Sequence, residues 1–295
     1  MNARLEPGTY VVAVSGGVDS MALLDLLRRQ PRLRLVVAHY DHGIRHDSVI
    51  DRALVQSVAR KHGLPFVFEA GKLGPGTSEA AARKARYDFL KRVQKASNAD
   101  AIVTAHHQDD VIETSIINLI RGTGRKGVSS LHSREDIRRP LLKHPKTEIK
   151  KYASEQGLHW REDSTNNDTK LLRNHVRHTI SSKMTPAQRL EFLYRIYVAH
   201  DINQKLDAHL VNHLHTQPAL DRLNRHTFIC LPHRVAKEVL AHWLRRHGIR
   251  QFDSKTLERL VVAAKTYAPN KTADINMDWS LRVGKKDLAL AHTDR

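Results

Sequence analysis

The chain has 295 residues, of which 40% are hydrophobic and 27% are charged, a composition typical of a folded protein with room for two domains. No apolar run approaches the roughly 20 residues that a membrane-spanning helix needs. No signal-peptide pattern opens the chain either, so we expect a cytoplasmic protein that does not bind membranes. The single cysteine, Cys230, excludes an internal disulfide and a multi-cysteine metal centre. The net charge of +18 favours a polyanionic partner such as nucleic acid over a merely basic surface.

The first predicted strand, Tyr10–Val14, leads through a tight turn into a helix that begins near Met21. Glycine in the turn lets the backbone approach a ligand closely, and the positive end of the helix attracts an anion. An ordinary strand-to-helix turn is the alternative, but the full pattern Ser-Gly-Gly-x-Asp-Ser in this context favours a phosphate site. The Asp of this pattern can in addition hold a metal ion or orient the turn. The turn comprises Ser15, Gly16, Gly17, Val18, Asp19 and Ser20.

Further predicted strands alternate with helices, and this order predicts an open parallel α/β sheet covered on both faces. The second strand ends in the polar segment Asp41–Arg45, at the edge where ligands bind in such sheets. A glycine-rich loop, Gly71–Gly76, precedes a long helix that Thr77 or Ser78 caps. The further strands are Leu33–Tyr40, Leu64–Phe68 and Ala101–His106.

Charged side chains at helical spacing form two candidate clusters. Arg83, Arg86 and Tyr87 share one helix face, and spacing alone leaves a solvated basic face and a phosphate-binding stripe equally favoured. At the end of the fourth strand, His106 and a second histidine are followed by Asp110 and Glu113. Acidic residues stabilise the first turn of a helix in any protein. That preference explains Glu113 less well, and it does not explain the two histidines, so the sequence predicts a site here.

The alternation of strands and helices stops near residue 180, so we place a domain boundary near residue 182. Before it lie a basic loop, Arg121–Gly127, a helix from near Pro145 to Gly157, and a polar loop, Arg161–Asp168. After it the pattern predicts a mixed α+β domain, 183–295. Its predicted elements are a helix from Pro186 to about His215, a strand Phe228–Leu231, helices Val235–His247 and Ser254–Tyr267, and a hairpin of Trp279–Val283 with Leu288–His292.

Eight motifs follow one another along the chain: Ser15–Ser20, His39–Arg45, Ala82–Tyr87, His106–Thr114, Arg121–Gly124, Arg139–Leu142, Glu162–Asn166 and Arg173–Arg177. In this order they resemble the bacterial tRNA(Ile)-lysidine synthetases, a family of the ATP-pyrophosphatase (PP-loop) superfamily. The resemblance is dense from residue 10 to about residue 180. It implies an open, parallel, Rossmann-like sheet in a catalytic domain, 1–182, and a smaller, mainly helical α+β domain, 183–295, that binds tRNA. The chain is short for the family, so we expect it to lack the further C-terminal domain of longer members.

The resemblance also implies a two-step ligation. ATP, with Mg²⁺ offsetting its charge, adenylates the C2 carbonyl oxygen of the wobble cytidine in tRNA(Ile) with a CAU anticodon, and pyrophosphate leaves. The ε-amine of free L-lysine then attacks C2 and expels AMP, which produces lysidine. Either a carboxylate or His106 can take the proton that the amine must lose.

The roles that the resemblance implies fall into three groups. The loop Ser15–Ser20 binds ATP, and Asp19 is its candidate Mg²⁺ ligand. The catalytic candidates are Asp19, Asp41, His106, Asp110 and Glu113, and the last three are expected to bind lysine as well. The tRNA-binding candidates are Arg83, Arg86, Arg121, Arg125, Lys126, Arg173 and Arg177.

Two other functions remain open on the sequence. One is a different PP-loop enzyme, either a tRNA thiolase or a ligase similar to NAD or GMP synthetase. Thiolases of this type generally use cysteines, of which this chain has one, and the small-molecule ligases do not explain the basic charge. The other is a tRNA- or nucleotide-binding protein without catalysis. A homodimer is compatible with either function and with the ligase.

Overall fold

The computed structural model describes residues 1–43, 48–71, 74, 77–162, 172–213 and 222–293. Parts of four sequence predictions lie outside the described residues: Ile44 and Arg45, positions 72–73 and 75–76 of the glycine-rich loop, Asp163–Asp168, and the end of the predicted helix after residue 213. The chain divides into two compact units. The first comprises Met1–Ile117 with Ser129–Leu193, and the second comprises Asn118–Val128 with Tyr194–Arg295. A functional division at residue 182 stays a prediction.

A five-stranded parallel sheet in the order β3-β2-β1-β4-β5 forms the centre of the first unit. Val11 of the central strand pairs with Val36 on one side and Ile102 on the other, and it is completely buried. The predicted parallel α/β sheet is therefore confirmed. The strands are β1 (Gly8–Ala13), β2 (Leu33–Asp41), β3 (Phe66–Ala70), β4 (Ala101–Val103) and β5 (Ile137–Arg138).

Helices cover both faces of this sheet because successive strand residues point to opposite sides. Val12 packs in a cluster with Leu23, Val55 and Ile149, whereas Val11 packs with Phe89. The helices up to residue 179 are α1 (Val18–Arg28), α2 (Ser48–Lys61), α3 (Glu79–Ala96), α4 (Gln108–Ile120), α5 (Arg125–Val128), α6 (Lys146–Glu155) and α7 (Leu172–Thr179).

Local side-chain hydrogen bonds decide where several of these elements begin or end. Ser78 caps α3, because its hydroxyl accepts the Ala81 N–H at 3.2 Å. β4 is shorter than predicted, and after Thr104, whose N–H still bonds the Arg138 carbonyl, the chain leaves the sheet. The partner strand β5 has two residues, which is too short for a periodic signal in the sequence.

The second unit is built on a four-stranded antiparallel sheet in the order β6-β9-β8-β7. Its core includes the fully buried Trp243, Leu240 and Leu260. The predicted hairpin is confirmed as β8 and β9, in which Val283 pairs with Leu288. The elements are α8 (Pro186–His213), β6 (Arg222–Asn224), α9 (Arg225–Cys230), α10 (His233–Arg246), α11 (Ser254–Thr266), β7 (Lys271–Asp274), β8 (Trp279–Val283) and β9 (Asp287–His292).

One predicted strand of this region, Phe228–Leu231, is wrong. These residues lie in and just after the short helix α9, where Asn224 caps the helix by accepting the Thr227 N–H at 3.0 Å. Phe228 is buried, so its apolar character reflects the core of the second unit rather than a sheet. The predicted start of α8 is correct, since Thr185 and Gln188 exchange backbone-to-side-chain hydrogen bonds of 2.9 and 3.2 Å.

The basic loop that contains α5 belongs to the second unit because its arginine is anchored there. Arg125 donates to Glu238 at 2.6 Å, to Asp207 at 2.7 Å and to the Asn203 side chain at 2.8 Å. Lys126 also pairs with Asp207, at 2.5 Å. Within the described ranges, none of the helices combines the length and the apolar character needed to span a membrane.

Candidate active site

The turn after β1 folds back on itself through its two serines. The Ser15 N–H donates to the Ser20 hydroxyl at 3.1 Å, and that hydroxyl donates to the Gly17 carbonyl at 2.9 Å. Gly17 precedes α1 without a side-chain cap, so the first N–H groups of the helix have no partner within it. The turn therefore presents backbone donors at the positive end of a helix, as an anion site requires.

The two glycines of the turn meet different requirements. Gly16 has φ +95°, a conformation that residues with a Cβ rarely adopt. Gly17 has φ −75°, and a Cβ there would lie 3.5 Å from the Ser15 hydroxyl, an ordinary contact. The backbone conformation thus requires glycine at position 16. At position 17 the fold does not require glycine, but the absence of a side chain leaves the backbone accessible from the cavity.

A cavity of about 470 Å³ opens beside this turn, at the carboxyl ends of β1, β2 and β4. Ligand-binding clefts have this size, roughly 300–1,000 Å³, and this location in parallel sheets. The predicted residues on its wall are Ser15, Gly17, Asp19, Ser20, Asp41, Arg83, Arg86, His106, Asp110 and Arg173. Gly16, Val18, Glu113 and Arg177 are not on the wall, and Arg121, Arg125 and Lys126 belong to the second unit.

Acidic side chains meet around a buried histidine at the inner end of the turn. His107 Nε2 lies 3.7 Å from Asp19 Oδ2 and 3.6 Å from Asp110 Oδ2, and the His107 backbone N–H donates to that Asp110 oxygen at 3.0 Å. Burial alone would raise the pKa of Asp110, but the neighbouring His107 side chain and the hydrogen bond from the His107 backbone hold it below its usual range. Asp110 is therefore an ionised carboxylate on the cavity wall.

Asp19 satisfies the requirements of a magnesium ligand. Its Oδ1 is buried and has no hydrogen-bond partner in the described part of the chain, while Oδ2 accepts from Lys146 at 3.1 Å. No group of three or more His, Cys, Asp or Glu side chains gathers for a metal among the described residues. Mg²⁺ commonly takes one or two carboxylates and completes its shell with phosphate oxygens and water. A single aspartate oxygen beside a phosphate turn fits that pattern.

His106 is a neutral group on the same cavity wall as Asp110. Its Nδ1 is 2.8 Å from the Thr104 hydroxyl, and burial lowers its pKa to about 3. His39 is also buried, donates from Nδ1 to the Val14 carbonyl at 2.8 Å, and has a pKa lowered by burial. At neutral pH both imidazoles are uncharged. His106 can therefore orient a substrate by hydrogen bonding, but it is not a positively charged proton donor.

Arginines of α3 surround Tyr87 at the cavity wall. The guanidinium carbons of Arg83 and Arg86 lie 4.9 and 5.5 Å from the centre of the tyrosine ring. Burial would raise the pKa of Tyr87, yet Arg83, Arg139 and Arg86 lower it. Burial lowers the pKa of Arg86, whose Nε has no hydrogen-bond partner in the described residues. Arg83 and Arg86 thus bring positive charge to the cavity wall, and their role as a phosphate-binding stripe stays a prediction.

Glu113 lies behind the wall, where Arg177 neutralises it. Arg177 donates to both carboxylate oxygens, at 2.7 and 3.0 Å, and the Glu113 side chain is 1% exposed. Arg173, from the same helix, reaches the wall and donates to the Thr114 hydroxyl at 3.2 Å. The Glu113–Arg177 pair thus fixes α7 against α4.

Sequence reasoning missed His107, Lys146 and the pair Asp51–Arg161. The Arg161 Nε lies 2.8 Å from Asp51 Oδ1, and its backbone N–H donates to the Gly16 carbonyl at 3.0 Å. His107 had a usable signal, because it stands beside His106 at a strand end. Lys146 is 127 residues from Asp19, and no local pattern indicates that contact.

Comparison with known proteins places this geometry in a family. The family described as the PP-loop domain matches residues 2–184. The chain belongs to the PP-loop family. Among its relatives, proteins called tRNA(Ile)-lysidine synthase are 41% identical over 187 residues in Thermotoga maritima and 43% identical over 182 residues in Thermus thermophilus. The protein of that name in Nitrosomonas europaea is 34% identical over 293 residues, which cover 92% of this chain.

The extent of these matches limits what they show. The Thermotoga match covers 60% of this chain and 45% of the relative. The Thermus match covers 59% of this chain and 35% of the relative. The chain therefore spans less than half the length of either relative. The Nitrosomonas match covers 62% of that relative. Among solved structures, the U34-tRNA thiolase NcsA from Methanococcus maripaludis with its [4Fe-4S] cluster superimposes with a TM-score of 0.54 at 17% identity. That superposition covers 65% of this chain and 72% of the thiolase, and it shows the fold alone.

Proposed function

We propose that this PP-loop protein is an ATP-dependent ligase that joins L-lysine to C2 of the wobble cytidine of tRNA(Ile) with a CAU anticodon. The products are lysidine, AMP and pyrophosphate. The observation that carries the proposal is one cavity whose wall holds both the phosphate turn and the ionised, half-buried carboxylate of Asp110. The relatives named above supply the substrate class, since they are called tRNA(Ile)-lysidine synthases.

In the first step, the C2 carbonyl oxygen of the cytidine attacks the α-phosphorus of ATP and the bond to the β-phosphate oxygen breaks. The departing pyrophosphate is held by the backbone N–H groups that follow Gly17, where donors already aimed at the developing charge lower the barrier. Mg²⁺ on Asp19 Oδ1 would offset the phosphate charge. Asp41, on the same wall, accepts hydrogen bonds from Ser48 and the Gly43 N–H at 2.8 Å and shapes the nucleotide end of the cavity.

In the second step, the ε-amine of lysine attacks C2, the bond from C2 to the adenylate oxygen breaks as AMP leaves, and the proton that the amine loses passes to a carboxylate or to the neutral His106. Asp110 is the residue best placed to pair with a lysine ammonium group, because it is ionised and on the wall. His106, neutral beside it, would hydrogen-bond the substrate. Glu113 contributes to lysine binding through the position of α7, since its own oxygens are occupied by Arg177.

The arginines extend this site towards tRNA. Arg83, Arg86 and Arg173 on the cavity wall would contact the phosphates around the wobble nucleotide. Arg177 in the first unit, and Arg121, Arg125 and Lys126 in the second, are proposed as separate contacts with tRNA. The second domain supports tRNA binding in this proposal. We place the reaction in the cytoplasm, where ATP, lysine and tRNA are all present. We also propose a homodimer, which sedimentation would test.

The alternative functions have less support. An iron–sulfur cluster of the kind named for the Methanococcus thiolase is held by several cysteine thiolates, whereas this chain has one cysteine. A ligase for a small amide-forming substrate leaves the charge of +18 without a role. A binding protein without catalysis would not need an ionised carboxylate facing the phosphate turn.

A reaction with two labels tests the proposal. The protein is given α-labelled ATP, labelled lysine and an unmodified transcript of tRNA(Ile) with the CAU anticodon, and each component is omitted in turn. We expect AMP and lysine-labelled tRNA to form in equal amounts, and neither to form when tRNA is omitted. Formation of AMP with no lysine in the tRNA, at saturating lysine, would favour another PP-loop activity.

A further inference from the structure

Lys146, the first residue of α6, lies against the phosphate turn. Its Nζ is 3.1 Å from Asp19 Oδ2, and its side chain is 35% exposed. Its backbone N–H donates to Asp109 Oδ2 at 2.9 Å, and Asp109 also accepts from Arg189. The start of α6 is therefore fixed beside the turn, while the lysine side chain keeps access to solvent.

Asp19 stands in the first turn of α1, within the segment whose backbone donors face an anion, and Asp19 Oδ1 has no partner among the described residues. An anion bound to the N–H groups after Gly17 would lie within reach of the same lysine. Lysine binds phosphate as a flexible point charge, and its long side chain allows it to change partners without movement of the backbone.

We propose that Lys146 binds the pyrophosphate part of ATP and holds it as the leaving group. The ammonium group pairs with Asp19 Oδ2 before nucleotide binds and with a β- or γ-phosphate oxygen afterwards, which leaves both Asp19 oxygens available to a metal ion. This inference rests on the proposed function and adds a substrate-binding residue to it. A purely structural ion pair between Lys146 and Asp19 is the competing explanation.

Two variants that both lack the ion pair separate these explanations. In Asp19→Asn, Lys146 is released from its carboxylate, and in Asp19→Asn with Lys146→Met the positive charge is gone as well. Binding of inorganic pyrophosphate without Mg²⁺ is measured for each by calorimetry. We expect the double variant to bind pyrophosphate at least about tenfold more weakly than Asp19→Asn, because a charged hydrogen-bonding partner is lost. Equal affinity in the two variants would overturn the inference.

Measurements on Lys146→Met alone distinguish a loss of pyrophosphate binding from a folding defect. Its affinity for AMP, which lacks the β- and γ-phosphates, should stay within about twofold of the native protein while pyrophosphate affinity falls about tenfold. Lys150→Met is the matched control, since Lys150 is one turn further along α6 and pairs with Glu162 at 3.0 Å instead of the turn. It should change neither affinity. Equal losses of AMP and pyrophosphate affinity in Lys146→Met, with a lower melting temperature, would assign the lysine to structure.

The result that would contradict the proposed function differs from the result that would contradict the role of Lys146. If the native protein binds neither ATP with Mg²⁺ nor pyrophosphate, the turn is not a nucleotide site at all. If the native protein binds both and Lys146 makes no difference in the Asp19→Asn background, the inference on Lys146 alone is wrong.

Discussion

At the scale of single residues, the phosphate turn shows how two adjacent glycines can serve different ends. Gly16 adopts a backbone conformation with φ +95° that other residues rarely adopt, and Gly17 leaves the backbone accessible to a ligand because it has no side chain. The distinction matters because a substitution can then remove ligand binding without weakening the fold.

We predict that Gly17→Ala will keep the native melting temperature and lose most of its affinity for ATP and pyrophosphate. The added Cβ has ordinary contacts within the protein, and because Gly17 lines the cavity, the Cβ would take space from phosphates bound at this turn. Gly16→Ala is the comparison variant, because its positive φ should cost about 1–3 kcal/mol of stability. Thermal melts with nucleotide titrations check both. Unchanged ATP affinity in Gly17→Ala would remove the turn from the site.

The buried histidines predict a loss of stability in mild acid. Burial depresses the pKa of His106 to about 3 and lowers that of His39 from its usual 6.5. Between the folded and unfolded pKa values the unfolded chain binds more protons, so this stability is fully present above about pH 6.5 and is lost as the pH falls below it. Each such group contributes at most about 1.4 kcal/mol per pH unit.

Denaturant melts between pH 7.5 and pH 5 measure this loss. In His106→Gln the slope of stability against pH should be smaller than in the native protein, because one depressed histidine is gone. Asp110 and Asp25, whose pKa values are lowered from those of ordinary aspartates, stay ionised over this range and do not contribute to the slope. An unchanged slope in His106→Gln would show that its imidazole is not buried in the neutral form.

At the scale of elements, the sequence predicted the helices, strands and turns that depend on neighbouring residues in the chain. The strand β1, the turn and α1 follow from an apolar run, two glycines and helical periodicity, and the start of α8 follows from its capping residues. The fold of the first unit was therefore predictable, as was the cavity wall around Asp19 and Asp110. Long-range contacts were not. The two-residue strand β5 and the contact of Lys146 with Asp19 are set by the packing of distant segments.

The anchor of Arg125 is another contact that local sequence does not show. Sequence predicted that this arginine binds tRNA, which stays a prediction, and the structure adds three partners in the second unit. We predict that Arg125→Ala will cost about 1–3 kcal/mol of stability, because charged hydrogen bonds to Asp207 and Glu238 are lost together. Urea melts check this value.

Lys126→Ala is the matched control for Arg125. It removes one partly exposed ion pair with Asp207 and should cost no more than about 1 kcal/mol. A stability loss in Arg125→Ala as small as that of Lys126→Ala would mean that the anchor contributes little and that the loop is held by other contacts.

At the scale of the whole molecule, the excess of basic residues predicts that tRNA binding depends steeply on salt. Each phosphate that the protein neutralises adds about 0.7–0.9 to the slope of log affinity against log salt concentration. Arg121 is exposed, so Arg121→Ala should lower that slope by about that amount. Lys95→Ala, an exposed lysine in the last turn of α3, should leave it unchanged. Equal slopes for all three proteins would exclude Arg121 from the contact with tRNA.

The position and chemistry of the lysine bond in tRNA show whether this protein makes lysidine. After the reaction with labelled lysine, the tRNA is treated with mild alkali, which cleaves aminoacyl esters at the 3′ end, and is then digested to nucleosides. We expect the label to survive alkali and to lie in a single modified nucleoside from the wobble position, with one AMP formed for each lysine joined. Label that is released by alkali, or that lies outside the anticodon, would contradict it.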